Sequence, residues 1–568
     1  MIGNELRLSR AGNRKTRYVQ TAAIIGVEAK PVTVEVSYTN GLPGISIVGM
    51  PDIAVNEARL RVRAALRASG FDVPNVHILV NLAPSDIPKS GSGFDLPIAL
   101  GILLATGQID PEDVIDRLCV GELSLDGSVR PVRGMLAYEQ LARELEVGLL
   151  SAVAEQGIYS DSLDRHACLE CLADLYDCSF RAPLLRRQLD NQTNLDYSDI
   201  AGNDLAKRAL VVAAAGEHAF MMIGPPGSGK SMLASRLPTI MAALSEQERF
   251  ESAMIHSVAG LPYDAILDGH KPFRSPHHSA TRAGLMGGGS PVTPGEVTLA
   301  HNGVLFLDEI PEFGSAVLQL LRQPIETGIV SLARARGTTV LPARFMLVAA
   351  SNPCPCGYFG DHERRCTCSE GEIRKYQARI GGPLLDRIDM VLDVWRSKPG
   401  EVLATGSGKS SAEMRNQVLL AREFKDWRLL KQGLLPETPA PRPAGSMSVT
   451  EISAADEMSV GRARNGESAS ASASASASAA GTDGTSDSTA QLTGAGARLL
   501  MSCELGKSER YCLEEAAEKL KLSGRGIMRV LSVARTLADI EASQKVLSDH
   551  ILEALTFRAD GRCGETAT

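Results

Sequence analysis

The feature that most constrains this chain is a glycine-rich stretch, residues 223–231, which reads I-G-P-P-G-S-G-K-S. It contains the full phosphate-loop pattern G-x-x-x-x-G-K-[ST]. Backbone N–H groups can wrap a phosphate only where side chains are absent, and glycines supply that freedom. The lysine would contact the β- and γ-phosphates of ATP, and the serine would be a ligand of Mg²⁺. The predicted nucleotide-binding residues are Gly224, Pro225, Pro226, Gly227, Ser228, Gly229, Lys230 and Ser231.

The residues on either side distinguish this loop from a glycine-rich turn that matches by chance. Ala209–Ile223 is apolar and predicts a buried approach to the loop by a strand, and Met232–Leu244 predicts a helix after it. A second G-S-G-K-S at residues 406–410 has Leu403 where the leading glycine is needed and follows no apolar run. We interpret that second copy as linker.

Hydrophobic content, net charge and cysteine count limit which classes of protein this chain can belong to. A chain of 568 residues with 44% hydrophobic content can bury several cores. The net charge of -8 means that any contact with nucleic acid must use a local basic patch. Eleven cysteines in so long a chain indicate a reduced compartment and a possible metal site rather than a disulfide scaffold. No apolar run is long enough to span a membrane, so a cytoplasmic location without membrane contact is expected.

Paired carboxylates follow a second apolar run. Val304–Leu307 reads as a buried strand, which would bring Asp308 and Glu309 to its C-terminal end. Open α/β sheets bind ligands at that end. Asp308 would hold Mg²⁺ through water, and Glu309 would polarise the attacking water. An acidic pair at this distance after a complete phosphate loop indicates nucleotide hydrolysis.

Two later residues resemble the sensor 1 residue and the arginine finger of AAA+ ATPases. Asn352 follows the apolar strand Phe345–Ala350, where a polar side chain could position water near the γ-phosphate. Arg387 lies in a short helix in a region that faces the adjoining subunit in AAA+ rings, where it would stabilise transition-state charge in trans. The alternative for Arg387 is an ion pair within the chain, with Asp386 or Asp389.

The stretch between these elements is the most distinctive. The run from Arg274 to Asp308, followed by L-R-Q-P-I-E-T-G at residues 321–328 and N-P-C-P-C-G at residues 352–357, resembles the magnesium-chelatase-like AAA+ family typified by ComM. The resemblance extends from about Arg17 to Arg558. It implies ATP hydrolysis in a homo-oligomeric ring, expected to be a hexamer. It also implies movement on single-stranded or branched DNA, as branch migration or helicase action in competence and recombination.

The same resemblance assigns further residues. The fold of the family implies an insert in helix 2 that projects toward a ring pore, with Gly284–Ser290 at its tip. Arg525 stands where the family carries its sensor 2 arginine, with Arg529 as the alternative. His277 and His278 could bind metal or DNA, but a structural hydrogen-bonding role is equally compatible with their spacing.

Two segments of the N-terminal region resemble the proteolytic domain of Lon-type proteases. These are residues 86–93, D-I-P-K-S-G-S-G, and residues 121–132, G-E-L-S-L-D-G-S-V-R-P-V. Gly93 stands where that family has its nucleophilic serine, and Arg133–Glu139 contains no partner lysine. A substitute dyad of Ser92 and Lys89 is disfavoured, because two residues of one loop rarely reach the aimed hydrogen bond that catalysis needs. We therefore predict a Lon-like α/β domain that is not a protease.

Cysteines cluster at two places. Cys354, Cys356, Cys366 and Cys368 form two C-x-C pairs in a loop with no expected core, and four thiolates are a ligand set for structural Zn²⁺. Four free thiols are the alternative. The flanking basic residues are candidates for contact with a phosphate backbone, namely Arg364, Arg365, Arg374, Lys375 and Arg379. Around His166, Cys168, Cys171 and Cys178, leucine spacing favours an amphipathic helix with buried cysteines over a zinc site.

The predicted fold class is α/β, with a Lon-like α/β domain, an AAA+ phosphate-loop core with a helix-2 insert, and a C-terminal helical lid. The serine, alanine and proline composition of residues 436–490 predicts a disordered insert. A chelatase-type metal-insertion motor and an ATP-gated adaptor remain alternatives to a DNA motor. The predicted segments are a basic lead-in 1–16, Lon-like domain 17–180, AAA+ core 181–395 with the cysteine loop 354–368, linker and lid start 396–435, disordered insert 436–490, helical lid 491–560 and tail 561–568.

Overall fold

The computed structural model describes residues 17–558 except 40, 154–165, 184–194, 290, 335–336, 362, 398–407 and 435–494. The chain divides into two compact units, one formed by Met1–Leu419 with Leu555–Thr568 and the other by Leu420–Ala554. The lead-in 1–16, the insert 436–490 and the tail 561–568, as predicted from the sequence, lie outside the described residues. Within the described residues, no helix is both long and apolar enough to cross a membrane.

The N-terminal part of the first unit is built on a seven-stranded mixed sheet, in the order β3-β4-β2-β1-β5-β8-β9. In this part the strands are β1 Arg17–Ile25, β2 Glu28–Thr39, β3 Gly44–Val48, β4 His77–Ala83, β5 Arg117–Cys119, β6 Glu122–Leu123, β7 Val129–Arg130, β8 Gly148–Ala152 and β9 His166–Leu169. Strand β2 pairs antiparallel with β1 and β4, and the other neighbouring pairs are parallel. Strands β6 and β7 form a separate hairpin.

Three helices pack on this sheet and bury their apolar side chains against it. They are α1 Ile53–Ala68, α2 Asp95–Thr106 and α3 Met135–Glu144. Asp52 caps helix α1, and its carboxylate accepts a hydrogen bond from the N–H of Val55 at 2.8 Å. Helix α2 is apolar around almost its whole circumference, so it lies buried between α1 and the sheet, and Arg61 of α1 pairs with the buried carboxylate of Asp95 at 2.7 Å.

The second part of the first unit is an all-parallel five-stranded sheet in the order β11-β14-β17-β10-β18. The strands of this part are β10 Phe220–Ile223, β11 Phe273–Arg274, β12 Gly287–Gly288, β13 Thr293–Pro294, β14 Val304–Leu307, β15 Ile329–Arg334, β16 Gly337–Pro342, β17 Met346–Ser351 and β18 Met390–Asp393. Strands β12 and β13 form one two-stranded pair, and β15 and β16 form another. Because the five strands are parallel, the residues that follow them meet at one edge of the sheet.

Helices alternate along the chain with the strands of this second part. They are α4 Asp204–Gly216, α5 Lys230–Ser235, α6 Leu237–Ile240, α7 Glu246–Ala259, α8 Asp264–Leu267, α9 Arg282–Met286, α10 Glu296–Leu299, α11 Ser315–Leu320, α12 Arg322–Thr327, α13 Glu370–Gln377, α14 Gly382–Leu385 and α15 Ser411–Lys431. The second unit adds α16 Ala495–Cys503, α17 Lys507–Lys519, α18 Gly524–Ile540 and α19 Ser548–Thr556. Inside it, Arg428 and Arg535 both pair with the buried carboxylate of Asp539, at 2.9 and 3.0 Å.

The two sheets of the first unit are joined by packed contacts rather than by a linker alone. The N–H of Gly134, at the start of α3, donates to the carbonyl of Ser257 in α7 at 3.0 Å. Val27, in the turn between β1 and β2, is 6% exposed and belongs to the same apolar cluster as Val330 and Leu341 of the β15–β16 hairpin. The β1–β2 turn of the N-terminal domain therefore contributes Val27 to the hydrophobic core that holds this hairpin.

Three expectations about local structure were wrong. Residues 209–223 are mostly helix α4, and only the last four form the strand that leads into the phosphate loop. The amphipathic helix expected near His166 is instead strand β9 followed by a 3₁₀ turn, Leu172–Leu175. Gly284–Ser290 is not a projecting tip in its described part, because Leu285, Met286, Gly287 and Gly288 are buried.

Candidate active site

The phosphate loop connects strand β10 to helix α5 at the C-terminal edge of the five-stranded sheet. Gly227 and Gly229 have φ angles of +80° and +86°, and a Cβ on either would meet nothing within 4 Å. The space above these glycines is therefore open, as a bound phosphate requires. A Cβ on Gly224 would lie 2.0 Å from the backbone carbonyl oxygen of Val394, so the segment after strand β18 leaves room only for glycine there.

Lys230 is held inside the loop that it belongs to. Its Nζ donates to the carbonyl oxygens of Gly224 and Pro225 at 2.7 and 3.0 Å, and the residue is 8% exposed. Burial lowers the pKa of Lys230 to about 8, although Asp308 and Glu309 act in the opposite direction. The ammonium group thus lies in a site that lacks full charge compensation, which an anionic phosphate would supply.

Ser231 and Asp308 meet across the sheet edge. The Ser231 Oγ donates to Asp308 Oδ2 at 2.6 Å, although strands β10 and β14 are separated by β17. Hydroxyl and carboxylate oxygens are the ligands that Mg²⁺ takes in phosphate-loop proteins. Together with the open glycine loop, this pair fits a Mg²⁺-nucleotide, which Ser231 and Asp308 would hold on the metal side.

Glu309 and Asn352 lie around the same loop. Glu309 has a left-handed backbone, with φ of +51°, and its side chain is 51% exposed. The Nδ1 of His278 lies 3.9 Å from its carboxylate. Asn352 follows β17, and its Oδ1 accepts from Lys230 Nζ at 3.4 Å. The structure thus places Lys230, Ser231, Asp308 and Asn352 in one group, with Glu309 directly beside it.

Arg387 lies at the opposite edge of the sheet. It precedes strand β18, which runs parallel to β10, whereas the phosphate loop follows β10. The residue is 6% exposed, and its guanidinium donates to the carboxylate of Glu326 and to the carbonyl of Pro383. Its ion-pair partner within the chain is therefore Glu326, and not Asp386 or Asp389, which were the alternative considered from the sequence. Its role as an arginine finger stays a prediction.

Arg525 lies in the second unit, in the first turn of α18, where Ser523 caps the helix by accepting from the N–H of Gly526 at 3.1 Å. Its side chain is exposed, and Arg529, one turn later, is half-buried. The sensor 2 role of Arg525 stays a prediction.

The four cysteines of the loop 354–368 come together. The Sγ of Cys354 lies 3.3 Å from that of Cys356 and 3.7 Å from that of Cys366, and Cys356 and Cys366 are 3.6 Å apart. With Cys368, all four sulfurs lie within 4.8 Å of one another. The expectation that no core buries them was wrong for Cys354, which is 0% exposed. Elsewhere in the described chain, no similar metal-holding group forms, so His166, Cys168, Cys171 and Cys178 do not make one.

Two residues near the site were missed as functional by the sequence analysis. Arg396 donates to the carbonyl oxygen of Pro226 in the phosphate loop, at 3.3 and 3.2 Å. Its place shortly after strand β18 was the available signal, since strand ends converge at this edge. His278 was considered only for metal, DNA or structural contacts, and its proximity to Glu309 depends on a fold that pattern alone does not give.

The Ser92–Lys89 dyad that the sequence disfavoured does not form. Lys89 is fully buried and donates to the carbonyl of Pro84, whereas the Ser92 hydroxyl donates to Glu122. Burial lowers the pKa of Lys89. The two groups thus hydrogen-bond to different partners, and their geometry gives no support to a protease.

Three family models match the chain. A model described as "Magnesium chelatase, subunit ChlI" matches residues 196–402, "Subunit ChlI of Mg-chelatase" matches 34–151, and "Magnesium chelatase, subunit ChlI C-terminal" matches 450–558. The competence protein ComM of Haemophilus influenzae is 37% identical over 555 residues, which cover 95% of this chain and 97% of that protein. The YifB protein of Escherichia coli is 36% identical over 557 residues, covering 96% and 97%. The magnesium-chelatase 67 kDa subunit of Chlorobaculum parvum is 29% identical over 198 residues, covering 34% and 26%.

Proposed function

We propose that this chain, which belongs to the ComM-type magnesium-chelatase-like family, is the subunit of an ATP-hydrolysing AAA+ ring that moves on DNA. The observation that carries the ATPase part is the 2.6 Å contact between Ser231 and Asp308 beside the buried Lys230. The contact supports this part of the proposal, because the serine and the carboxylate that would hold Mg²⁺ lie at the same edge of a parallel sheet as the lysine that would bind phosphate.

The chemistry follows from the groups around that edge. Lys230 would bind the β- and γ-phosphates, and the open glycine loop would donate backbone N–H groups to them. Glu309, exposed beside Asp308, would orient and deprotonate the attacking water, with Asn352 as a second polar contact. Arg387 would act on the site of a neighbouring subunit, since it lies at the opposite edge from its own phosphate loop. For Arg525 we propose the sensor 2 role that the family resemblance implies.

The DNA part of the proposal depends on the family and on a local patch. One relative is named as a competence protein, and the family resemblance implies branch migration or helicase action. Among the basic residues near the cysteine loop, Arg374 and Arg379 are ion-paired with Glu370 and Glu312. Arg365 and Lys375 are exposed and have no carboxylate partner among the described residues. These two side chains are available for phosphate-backbone contact.

The test is ATP turnover and strand displacement by the full-length protein on single-stranded, forked and four-way DNA. DNA is expected to stimulate turnover, and Glu309→Gln is expected to bind nucleotide but to hydrolyse none. Arg365→Ala and Lys375→Ala should each reduce the salt dependence of DNA binding by about one counterion. Lys30→Ala is the matched control, because Lys30 already pairs with Glu28 at 2.6 Å in the N-terminal domain. Turnover that is unchanged by every DNA substrate would contradict a DNA motor.

A metal-insertion motor is the second candidate, because the matching family models carry the description of a magnesium-chelatase subunit. The model that matches residues 34–151 of the N-terminal domain carries that description too. A purified chain whose ATPase responds to a porphyrin and its partner subunits, and to no DNA, would favour this function. An ATP-gated adaptor would show neither response.

We also propose that the four cysteines hold structural Zn²⁺. Thiolates are the ligands of closed tetrahedral zinc sites, and two close pairs bring four sulfurs together at a small cost in loop entropy. Elemental analysis of protein purified under reducing conditions is expected to give about one zinc per chain. A metal content far below that value would contradict the site.

A further inference from the structure

We infer that the four-cysteine cluster is a metal site that holds the phosphate loop in its nucleotide-binding form, so that nucleotide affinity depends on the bound metal. The inference deepens the proposed ATPase function and is independent of whether the substrate is DNA. It follows from the sulfur geometry and from two separate contacts between the cysteine loop and the phosphate loop.

The sulfur positions fit a closed tetrahedral site. Zn–S bonds of about 2.3 Å in a tetrahedron place the sulfurs about 3.8 Å apart. The three Sγ separations among Cys354, Cys356 and Cys366 are 3.3, 3.7 and 3.6 Å. Four sulfur ligands leave no open position for substrate, so the site would be structural. Its effect must therefore pass through the backbone that carries the cysteines.

The first contact is between Gly357 and Pro226. The N–H of Gly357 donates to the carbonyl of Cys354 at 2.9 Å, which closes the turn that carries the first cysteine pair. A Cβ on Gly357 would lie 2.7 Å from the Cδ of Pro226 and 3.2 Å from its Cγ. The turn thus lies directly against the phosphate loop, and only glycine permits so close an approach at its φ of +85°.

The second contact is made by Arg396. Its guanidinium donates to the carbonyl of Pro226, lies 3.8 Å from Asp361 and 3.6 Å from Glu363, and stacks 5.6 Å from the ring centre of Tyr358. Tyr358, Asp361 and Glu363 all lie between the two cysteine pairs. Arg396 therefore links the segment that the metal closes to the backbone of the phosphate loop.

Metal removal should act on binding more than on chemistry. Without the metal, the four sulfurs are no longer held together, and the segment that contacts Pro226 regains conformational freedom. Pro226 would then lose its packing partner and the hydrogen bonds from Arg396. Asp308 and Glu309 follow strand β14, which makes none of these contacts, so they keep their positions. We expect a raised Kd for nucleotide and a raised KM for ATP, with a smaller change in kcat.

The experiment measures nucleotide affinity of the full-length protein without DNA. A fluorescent non-hydrolysable ATP analogue is titrated into zinc-loaded protein and into protein stripped of zinc by a mercurial and then reduced. The expected loss in affinity is about tenfold, the size expected from two or three weakened contacts. Restoring Zn²⁺ should restore affinity. Circular dichroism checks that the stripped protein remains folded.

Two variants separate metal binding from the effect of the metal on the phosphate loop. Cys366→Ser should lose both zinc and affinity. Arg396→Ala should keep about one zinc per chain and still lose affinity, because it removes only the link to Pro226. Arg59→Ala, an exposed arginine on α1 of the N-terminal domain, is the matched control and should change neither quantity. Because Arg396→Ala leaves every cysteine in place, it tests the link even if Cys366→Ser fails to fold.

Each outcome decides the inference. Protein that carries no zinc and binds none when Zn²⁺ is added would overturn the metal site. Folded, zinc-free protein with unchanged nucleotide affinity would overturn the coupling, as would full affinity in Arg396→Ala. Absence of DNA stimulation would overturn the DNA function and leave this inference standing, whereas failure to bind nucleotide in the zinc-loaded protein would overturn both.

Discussion

Lys230 gives the site a pH dependence that can be worked out from its surroundings. Burial holds its pKa at about 8 in the nucleotide-free chain, below the ordinary value for lysine. Bound polyphosphate is anionic and raises that pKa again. Binding at alkaline pH must then be accompanied by proton uptake. Below about pH 7 to 7.5 Lys230 is protonated, so its titration should not change nucleotide affinity. Above pH 8 the affinity should fall by up to about tenfold per pH unit.

Calorimetry in buffers of different ionisation enthalpy measures this proton uptake directly. A non-hydrolysable ATP analogue is suitable at pH 8.5 to 9, where its phosphates have finished titrating. Lys230→Arg is the control, because a guanidinium stays charged throughout this range and its residual binding should take up no proton. Identical binding enthalpies in all buffers for the unmodified protein would show that Lys230 is already fully charged in the free chain.

Strands and loops show where sequence patterns were sufficient and where they were not. The residues at the ends of β10, β14 and β17 could be predicted, because an apolar run followed by a polar residue is local information and parallel strands bring such ends together. Strand β9 could not, because a four-residue strand buried on both faces has no alternation that distinguishes it from a helix. The contact of Arg396 with Pro226 joins residues 170 positions apart, which no local pattern records.

The turn between β1 and β2 offers a test of how the N-terminal domain supports the core. Gly26 has φ of +67°, and its Cβ position lies 3.0 Å from Thr339 of the β15–β16 hairpin. Val27 beside it is 6% exposed. Val27→Asp would bury a carboxylate in this cluster, and we expect the first unit to lose roughly 2 kcal/mol or more of stability.

Val48→Asp is the matched control, since Val48 is 44% exposed on strand β3 of the same domain. Thermal melting and limited proteolysis within the β15–β16 hairpin measure the effect. Val27→Asp should lower the melting temperature and increase cleavage of the hairpin, whereas Val48→Asp should change neither. Equal melting curves for the two variants would mean that the domain does not support the hairpin.

The separation between Arg387 and the phosphate loop of the same chain is the observation that supports the proposed ring. Strand β18 has four residues, so the two edges of the sheet are about 13 Å apart before side chains are counted. An arginine at one edge cannot stabilise charge at the other. In the proposed ring, a head-to-tail arrangement would bring the Arg387 edge of one subunit to the phosphate-loop edge of the next. The ion pair with Glu326 would then fix the position of the Arg387 side chain until the neighbouring subunit binds.

Mixing two inactive variants tests this arrangement. Glu309→Gln lacks the water-activating carboxylate but keeps Arg387, and Arg387→Ala has the opposite defect. If the arginine acts in trans, a mixed ring contains sites with both groups, and an equal mixture should recover about a quarter of the normal turnover. The double variant Glu309→Gln/Arg387→Ala, mixed with either single variant, creates no complete site and serves as the control. Glu326→Gln should keep turnover, because it removes only the partner of Arg387 within the chain. If turnover recovers in the mixture of the two single variants and not in the control mixtures, each active site is built from two chains. If turnover does not recover in the first mixture, Arg387 does not act on the site of its neighbour.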